Sequence, residues 1–205
     1  MTVSTVTGST VLAETSERDW CISHLCNCAL VDAFGTALHI EKSRNPDVRT
    51  LLSKTKKVIE HVNKSPSTKI HFIEIQLQQM LSSLTLHGDV RQRWKSTVSL
   101  LERFLKLWNI IRHTFSEQNK AFELESDHLV LLQLYALMRP VADLITTSQV
   151  SGSIGPPHVL LGLIMLSCTI LNVSADLEVI NPADESVQNL SHRNCIQPRI
   201  LLVGC

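Results

Sequence analysis

The strongest constraint on the fold of this chain is the spacing of its apolar residues, which recur every three or four positions over long stretches. One such face is complete between residues 48 and 62, and its members are Val48, Leu51, Leu52, Thr55, Val58, Ile59 and Val62. This period is that of an α-helix with one buried side. Between residues 20 and 173 the sequence contains no long alternation of the kind that favours strands. The pattern therefore predicts a mainly α fold, a helical bundle.

Pro66 ends this helix and opens a second one, because proline disfavours helical geometry in the residue before it and suits a first turn. The predicted face of the second helix consists of Ile70, Ile73, Leu77, Met80, Leu81 and Leu84. A third helix of about five turns has a predicted core side, made of Val98, Leu101, Phe104, Leu105, Trp108, Ile111 and Phe115. A short, buried helix is also predicted from Leu25 to Leu38.

Two later segments complete the bundle. One helix is predicted to start at Ser126 or Asp127 and to reach Pro140, which kinks or restarts it. The apolar stretch at residues 159–173 is shorter than the ~20 residues that span a bilayer, so it predicts a buried helix rather than a membrane anchor. The expected organisation is a disordered lead at 1–18, a helical domain at 19–173 and an irregular tail at 174–205.

The charges are unevenly distributed along the chain. The formal net charge is zero, yet residues 41–120 hold 15 lysines and arginines against 7 aspartates and glutamates. A basic middle segment is typical of a polyanion-binding surface, and equally of ordinary solvated helix faces. Both interpretations stay open at this point.

Three cysteines and a histidine are crowded into the segment CISHLCNC at residues 21–28. Cys21, His24 and Cys28 would share one helix face and could hold zinc if a fourth ligand came from elsewhere. No second ligand pair follows in the sequence, so helix packing is the favoured role for the cysteines, and a thiol nucleophile is disfavoured. The N-terminus lacks the features of a secretory signal, which predicts reduced thiols in an intracellular protein.

A second chemistry-bearing segment is RQRWK at residues 91–95. Cations beside a tryptophan are the combination that contacts phosphate and stacks on a base. A tryptophan at the start of a helix is also a common packing anchor. Arg93, Trp94 and Lys95 are therefore candidate nucleic-acid contacts on composition alone.

Taken in order, CISHLCNCALVDAFG, LLSKTKKVIEHVNKS and VRQRWKSTVSLLERFLKLWNIIRHTF resemble the middle of a hAT-superfamily (hobo/Activator/Tam3) DNA transposase. The resemblance runs from about Trp20 to Ile145, with a weaker continuation to Asn172. Lys95 stands where the family has asparagine, and Cys26 separates a leucine and an asparagine that the family keeps together.

The resemblance implies a ribonuclease H-like core interrupted by a long helical insertion, with three acids that bind Mg²⁺ or Mn²⁺ in full-length relatives. Residues 1–20 offer only Glu14, Glu17 and Asp19, in no matching setting, so no catalytic residue is carried over. We therefore expect a helical bundle corresponding to the insertion domain, with the core strands mostly missing. The expected protein is truncated, catalytically inactive and without a cofactor.

The same resemblance implies roles for five residues. Trp94 matches a position that stacks on a displaced base, with Arg93 and Lys95 beside phosphate, and Cys21 and His24 match a Cys-x2-His pair near the active site. We expect residual DNA binding and a nuclear location. The alternative is a DNA- or protein-interaction module built on the basic helices of residues 41–120. Self-association is expected from uncovered apolar surface, whereas a membrane or a small-molecule substrate is not.

Overall fold

The computed structural model of the chain describes residues 28, 30, 33–34, 45–80, 83–86, 94–150, 156–170, 172 and 174–190. Its helices are α1 (Pro46–Lys64), α2 (Pro66–Gln78), α3 (Trp94–Lys106), α4 (Trp108–Glu117), α5 (His128–Val150) and α6 (Pro156–Cys168), with a 3₁₀ turn at Glu125–Asp127. The strands are β1 (Leu177–Ile180) and β2 (Val187–Leu190). The predicted mainly α helical bundle is confirmed.

Helix α1 forms as its sequence predicts. The side chain of Asn45 caps it by accepting two hydrogen bonds from the first turn, where Pro46 needs no hydrogen-bond partner of its own. The buried residues are those predicted, namely Val48, Leu51, Leu52, Thr55, Val58, Ile59 and Val62. Ser65 then ends α1 and caps α2, which starts at Pro66. The break between the two helices therefore lies where proline geometry predicts it.

The predicted core face of α2 is only partly right, because Ile73 and Leu84 pack against the core whereas Ile70, Leu77 and Met80 are exposed. The residues that α2 buries are Thr68, Phe72, Ile75 and Gln76. Ile70 and Leu77, both predicted to face the core, are 59% and 61% exposed. The reason is a buried amide, because the Gln76 side chain accepts from the backbone N–H of Leu84 (2.8 Å) and donates to its carbonyl (3.2 Å). A hydrophobic pattern counts glutamine as a surface residue and cannot foresee this bridge.

We predict that Gln76→Ala lowers the free energy of unfolding by about 1–3 kcal/mol, because it leaves the backbone groups of Leu84 without their partner in a partly buried site. Urea denaturation followed by circular dichroism measures the change. Gln78→Ala, at an exposed position of the same helix, is the matched control and should change stability little. Equal midpoints for the two variants would contradict this role of Gln76.

The predicted third helix is in fact two helices. α3 and α4 meet at Leu107, whose backbone leaves helical geometry for one residue (φ −99°, ψ 11°). All seven predicted core residues of this segment are buried, and Leu100, Leu107 and Ile110 are buried as well. The break lets the two helices pack against different neighbours, since α3 packs against α5 and α4 packs against α2. Apolar residues on several sides are what such a double role requires.

Helix α5 is buried on nearly every side. It continues through Pro140, and the 3₁₀ turn that precedes it contains both predicted starting residues, Ser126 and Asp127. The apolar side chains that it buries are Leu131, Leu132, Leu134, Tyr135, Leu137, Met138, Val141, Ala142 and Ile145. Among the described residues, the segment Glu125–Thr147 is long and apolar enough to cross a membrane, and 56% of its apolar 18-residue window is buried inside the protein. The packing against α3, α6 and β1 accounts for this apolar composition.

The prediction that α6 is buried is wrong. Leu166 is buried, but Leu160, Leu161 and Met165 are 56–60% exposed. A buried helix needs neighbours on more than one side, and α6 makes its main helix contact with α5 alone among the described elements. Apolar composition alone therefore gave the wrong environment for this helix.

The chain after Ser174 was expected to be irregular, and the structure corrects this for residues 177–190. β1 and β2 pair in antiparallel register, with Leu177 opposite Leu190 and Ile180 opposite Val187. Leu177 and Val179 are buried, and β1 packs on α5. Strands of four residues are too short for their alternation to be recognised in a sequence. Residues 191–205 lie outside the described part of the chain.

Candidate nucleic-acid interface

Most of the candidate site residues singled out in the sequence lie outside the described residues or at their edge. Cys21, His24 and Arg93 are outside the described residues. Trp94 and Lys95 form the first turn of α3, and their side chains are likewise outside the description. The roles predicted for these five residues therefore stay predictions.

Cys28 does not have the packing role that the sequence suggested. Its side chain is exposed, whereas Leu30, Ala33 and Phe34 are buried. Those three residues follow the i, i+3, i+4 spacing of one helix face, and Cys28 lies two positions before Leu30, about 200° around a helix. The thiol therefore lies on the side opposite the buried face. Within the described ranges, no three His, Cys, Asp or Glu side chains are placed to hold a metal ion.

The outer face of α1 concentrates positive charge. Arg49, Lys57 and Lys64 are exposed on the side of the helix away from its buried residues, Lys56 lies half-buried at the edge of this side, and Glu60 is the acid among them. The Lys64 ammonium donates to the Glu60 carboxylate (2.9 Å). This hydrogen bond and the charge of Lys64, followed by the charge of Lys56, hold the pKa of Glu60 below its usual value. Four cations against one carboxylate give this side of α1 a net positive charge.

Other cations of the basic segment have structural partners. Lys54 forms an ion pair with Asp127 (3.1 Å), which joins α1 to the turn before α5. Arg112 pairs with Glu125 of the same turn (2.6 Å) and joins α4 to it. These cations hold helices together, so the charge excess counted in the sequence is larger than the charge available to a ligand. The outer face of α1 is the described surface on which several cations of that segment lie close together on one helix.

A cluster of imidazoles and carboxylates connects α2 to α4. His71 pairs with Glu117 and lies 3.4 Å from Glu74, and His113 lies 3.6 Å from Glu117. The i, i+4 spacing of His113 and Glu117 is visible in the sequence, but the long-range contact to His71 is not. Sequence analysis missed this cluster, whose carboxylates, Glu74 and Glu117, make the α2–α4 surface less basic than that of α1.

Trp108 is the centre of an aromatic cluster that joins α4 to the start of α5. Its ring centroid lies 5.9 Å from that of Phe104, 5.0 Å from Phe122 and 4.4 Å from His128. Burial lowers the pKa of His128, and the charge of Asp184 opposes that shift. Trp108 is thus a packing anchor.

This cluster predicts a pH dependence of stability. Because the pKa of His128 is lower in the folded protein than its usual value of 6.5, the unfolded chain binds the proton more readily. The free energy of unfolding contributed by this group is complete above that value and declines as the pH falls through it. His128→Phe keeps the ring stacked on Trp108 and removes the proton. Between about pH 7.5 and pH 5.5, urea titrations should show a smaller loss of stability in the variant, and equal losses would refute the assignment.

A cavity of about 830 Å³ lies between α5, α6 and the hairpin. Its walls are mainly apolar, with Leu144 and Leu166 among them, and the Arg139 guanidinium lies over the ring of Tyr135 (5.8 Å) at one side. Burial raises the pKa of Tyr135 above its usual value. This cavity could not be predicted from the sequence, because its walls come from three separate segments.

The arrangement is that of an all-helical domain with a basic outer helix, followed by a small hairpin. The family model for the ZBED1 RNase-like helical domain matches residues 21–129, just over half of the chain. The chain belongs to this family, which is derived from hAT transposases. No curated protein and no solved structure matches the chain significantly.

The match confirms the predicted family origin at this level. It starts at Cys21, where the first quoted motif starts, and it ends at Leu129 in the first turn of α5. Most of α5, together with α6 and the hairpin, therefore lies beyond the matched part of the chain.

Proposed function

We propose that this chain is a transposase-derived protein that binds DNA without cleaving it, in the nucleus. The observation that supports the proposal best is the outer face of α1, where Arg49, Lys56, Lys57 and Lys64 surround a single acid of that face within the described helix. From Arg49 to Lys64 the cations span 15 residue steps of the helix, which is about 22 Å. A duplex carries one phosphate charge per ~1.7 Å of its axis, so a helix segment of this length can face several phosphates.

The start of α3 is the second contact in this proposal. The family resemblance assigns base stacking to Trp94 and phosphate contacts to Arg93 and Lys95. α3 begins at Trp94, so these residues would present themselves at the positive end of a helix, which favours phosphate. In this proposal Cys21 and His24 have no present function and only match the position of the pair that lies near the family's active site.

Catalysis is not part of the proposal, and neither is a metal cofactor. None of the acids of this chain was assigned to the metal-binding triad that the resemblance implies. Incubation with a transposon-end duplex and Mg²⁺ or Mn²⁺ should leave the duplex intact, as measured on a sequencing gel. Strand cleavage that depends on the metal and on this chain would contradict the proposal.

The DNA contact is tested by charge reversal. Lys57→Glu on the outer face of α1 should weaken binding to a labelled duplex and reduce the slope of log K against log salt by about 1. Lys106→Glu, at an exposed position of α3, changes the net charge equally and should leave the slope nearly unchanged. Fluorescence anisotropy across a salt series measures both.

The runner-up is a module that binds an acidic protein through the same face. The two functions give different results in the same titration. Absence of DNA affinity at about 50 mM salt, where phosphate contacts are strong, would reject DNA binding and favour an acidic protein as the ligand. An equal effect of the two charge reversals would reject α1 as the contact face.

A further inference from the structure

The cavity between α5, α6 and the hairpin has the dimensions of a ligand-binding site. Its volume of about 830 Å³ lies within the ~300–1,000 Å³ that is usual for small-molecule pockets. Each of the three elements contributes apolar side chains to its walls, among them Leu144 of α5, Leu166 of α6 and Ile180 of β1. Pockets of this kind are mainly apolar, and the few polar groups that they contain select the ligand.

The hairpin brings two acidic residues to the cavity. Glu178 and Ile180 lie on one face of β1, and Asp176 precedes the strand at the same two-residue spacing; all three line the cavity. Asn189 of β2, which stands opposite Glu178 in the antiparallel register, lines it too. One side of the cavity therefore consists of two carboxylate residues and an amide residue beside an apolar one.

The negative charge of these two acids is not balanced within the protein. Asp176 and Glu178 are exposed, and neither carboxylate has an ion-pair partner in the described part of the chain. The cation that lines the cavity, Arg139, is engaged elsewhere, because its guanidinium lies over the ring of Tyr135 (5.8 Å) and 3.7 Å from the carboxylate of Asp143. The net charge left at the cavity is therefore negative, and it lies on the hairpin side.

This combination of apolar walls and unbalanced negative charge indicates the chemical class of the ligand. An anionic ligand would be repelled by Asp176 and Glu178, and a neutral one would gain nothing from their charge. A metal ion does not fit, because the described residues include no group of three His, Cys, Asp or Glu side chains placed to hold one. An ammonium group complements the two carboxylates, and an alkyl chain attached to it would leave water at the apolar walls.

We propose that this cavity binds a small hydrophobic amine, with the alkyl body between α5 and α6 and the ammonium group at Asp176 and Glu178. The residues that line the cavity begin at Tyr135 and lie beyond residues 21–129, which match the family model. The family resemblance predicts no small-molecule substrate, so the cavity itself supports this ligand. The proposal rests on neither the family nor DNA binding, and failure of either proposal leaves the other unaffected.

Calorimetric titration of the full chain with octylamine, octanol and octanoate tests the proposal, because these probes carry a positive, a neutral and a negative head group on the same alkyl chain. At low salt, where exposed charges are least screened, octylamine should bind at least ~10-fold more tightly than octanoate. Asp176→Asn combined with Glu178→Gln should abolish this preference and leave the affinity for octanol unchanged. No binding of octylamine, or equal affinities for the amine and the carboxylate, would overturn the proposal.

The matched control is Glu123→Gln combined with Glu185→Gln, which removes two exposed acids outside the cavity. This control should keep the preference for octylamine, and its loss there would overturn the proposal. Thermal unfolding shows whether each variant keeps the fold. If the cavity double variant unfolds, Glu178→Gln alone replaces it and should reduce the preference.

The position of the bound amine is tested in the wild-type chain through its cysteines. The side chain of Cys168 is exposed and lines the cavity, whereas that of Cys28 is exposed outside it. Saturating octylamine should slow the alkylation of Cys168 by iodoacetamide and leave that of Cys28 unchanged, as measured by mass spectrometry. Unchanged alkylation of Cys168, or equal slowing at both cysteines, would contradict binding in this cavity.

Discussion

The burial of α5 is the constraint on which the rest of the structure depends. This helix has apolar side chains on nearly every side, and α3, α6 and β1 each cover part of it. The turn that precedes it receives Lys54 from α1 and Arg112 from α4. α5 and the turn before it thus contact both the part of the chain that matches the family and the part that follows. A helix that is apolar on nearly every side is stable only when other elements cover it, so its neighbours pack on several of its sides.

The ion pairs at the start of α5 also explain how the protein uses its charge. Counted along the sequence, the middle of the chain has a large cationic excess. Folding uses Lys54 and Arg112 to connect helices, while His71 and His113 share Glu117. Several of the remaining cations lie together on the outer face of α1. The proposed DNA contact is therefore this helix face together with the start of α3, not the whole basic segment.

The sequence predicted local structure well wherever one helix packs with one side. In α1 every buried residue followed from the spacing, because a single face meets a single core. In α2 the spacing failed, since Gln76 is buried through its hydrogen bonds to Leu84 and displaces Ile70 and Leu77 to the surface. For α6 apolar composition predicted burial, although Leu160, Leu161, Leu163, Ile164 and Met165 are exposed while Leu166 is buried and Gly162 lies against Leu144 of α5.

The candidate site was less predictable than the fold. Helical spacing placed the lysines of α1 opposite its core, which could be worked out from the sequence. Which lysines would be paired could not, because Lys54 and Asp127 are 73 residues apart and meet only after α5 has packed. Cys28 shows the same limit, since its exposure depends on which side of its turn carries Leu30 and Phe34.

The central claim, that DNA lies along the outer face of α1, is tested most directly by lysine footprinting. The full chain is acylated with and without a duplex at low salt, and the modification of each lysine is measured by mass spectrometry. We expect strong protection of Lys57 and Lys64, with little change at Lys106 on α3, which packs against α5. Equal reactivity of Lys57 and Lys64 with and without a bound duplex would contradict it.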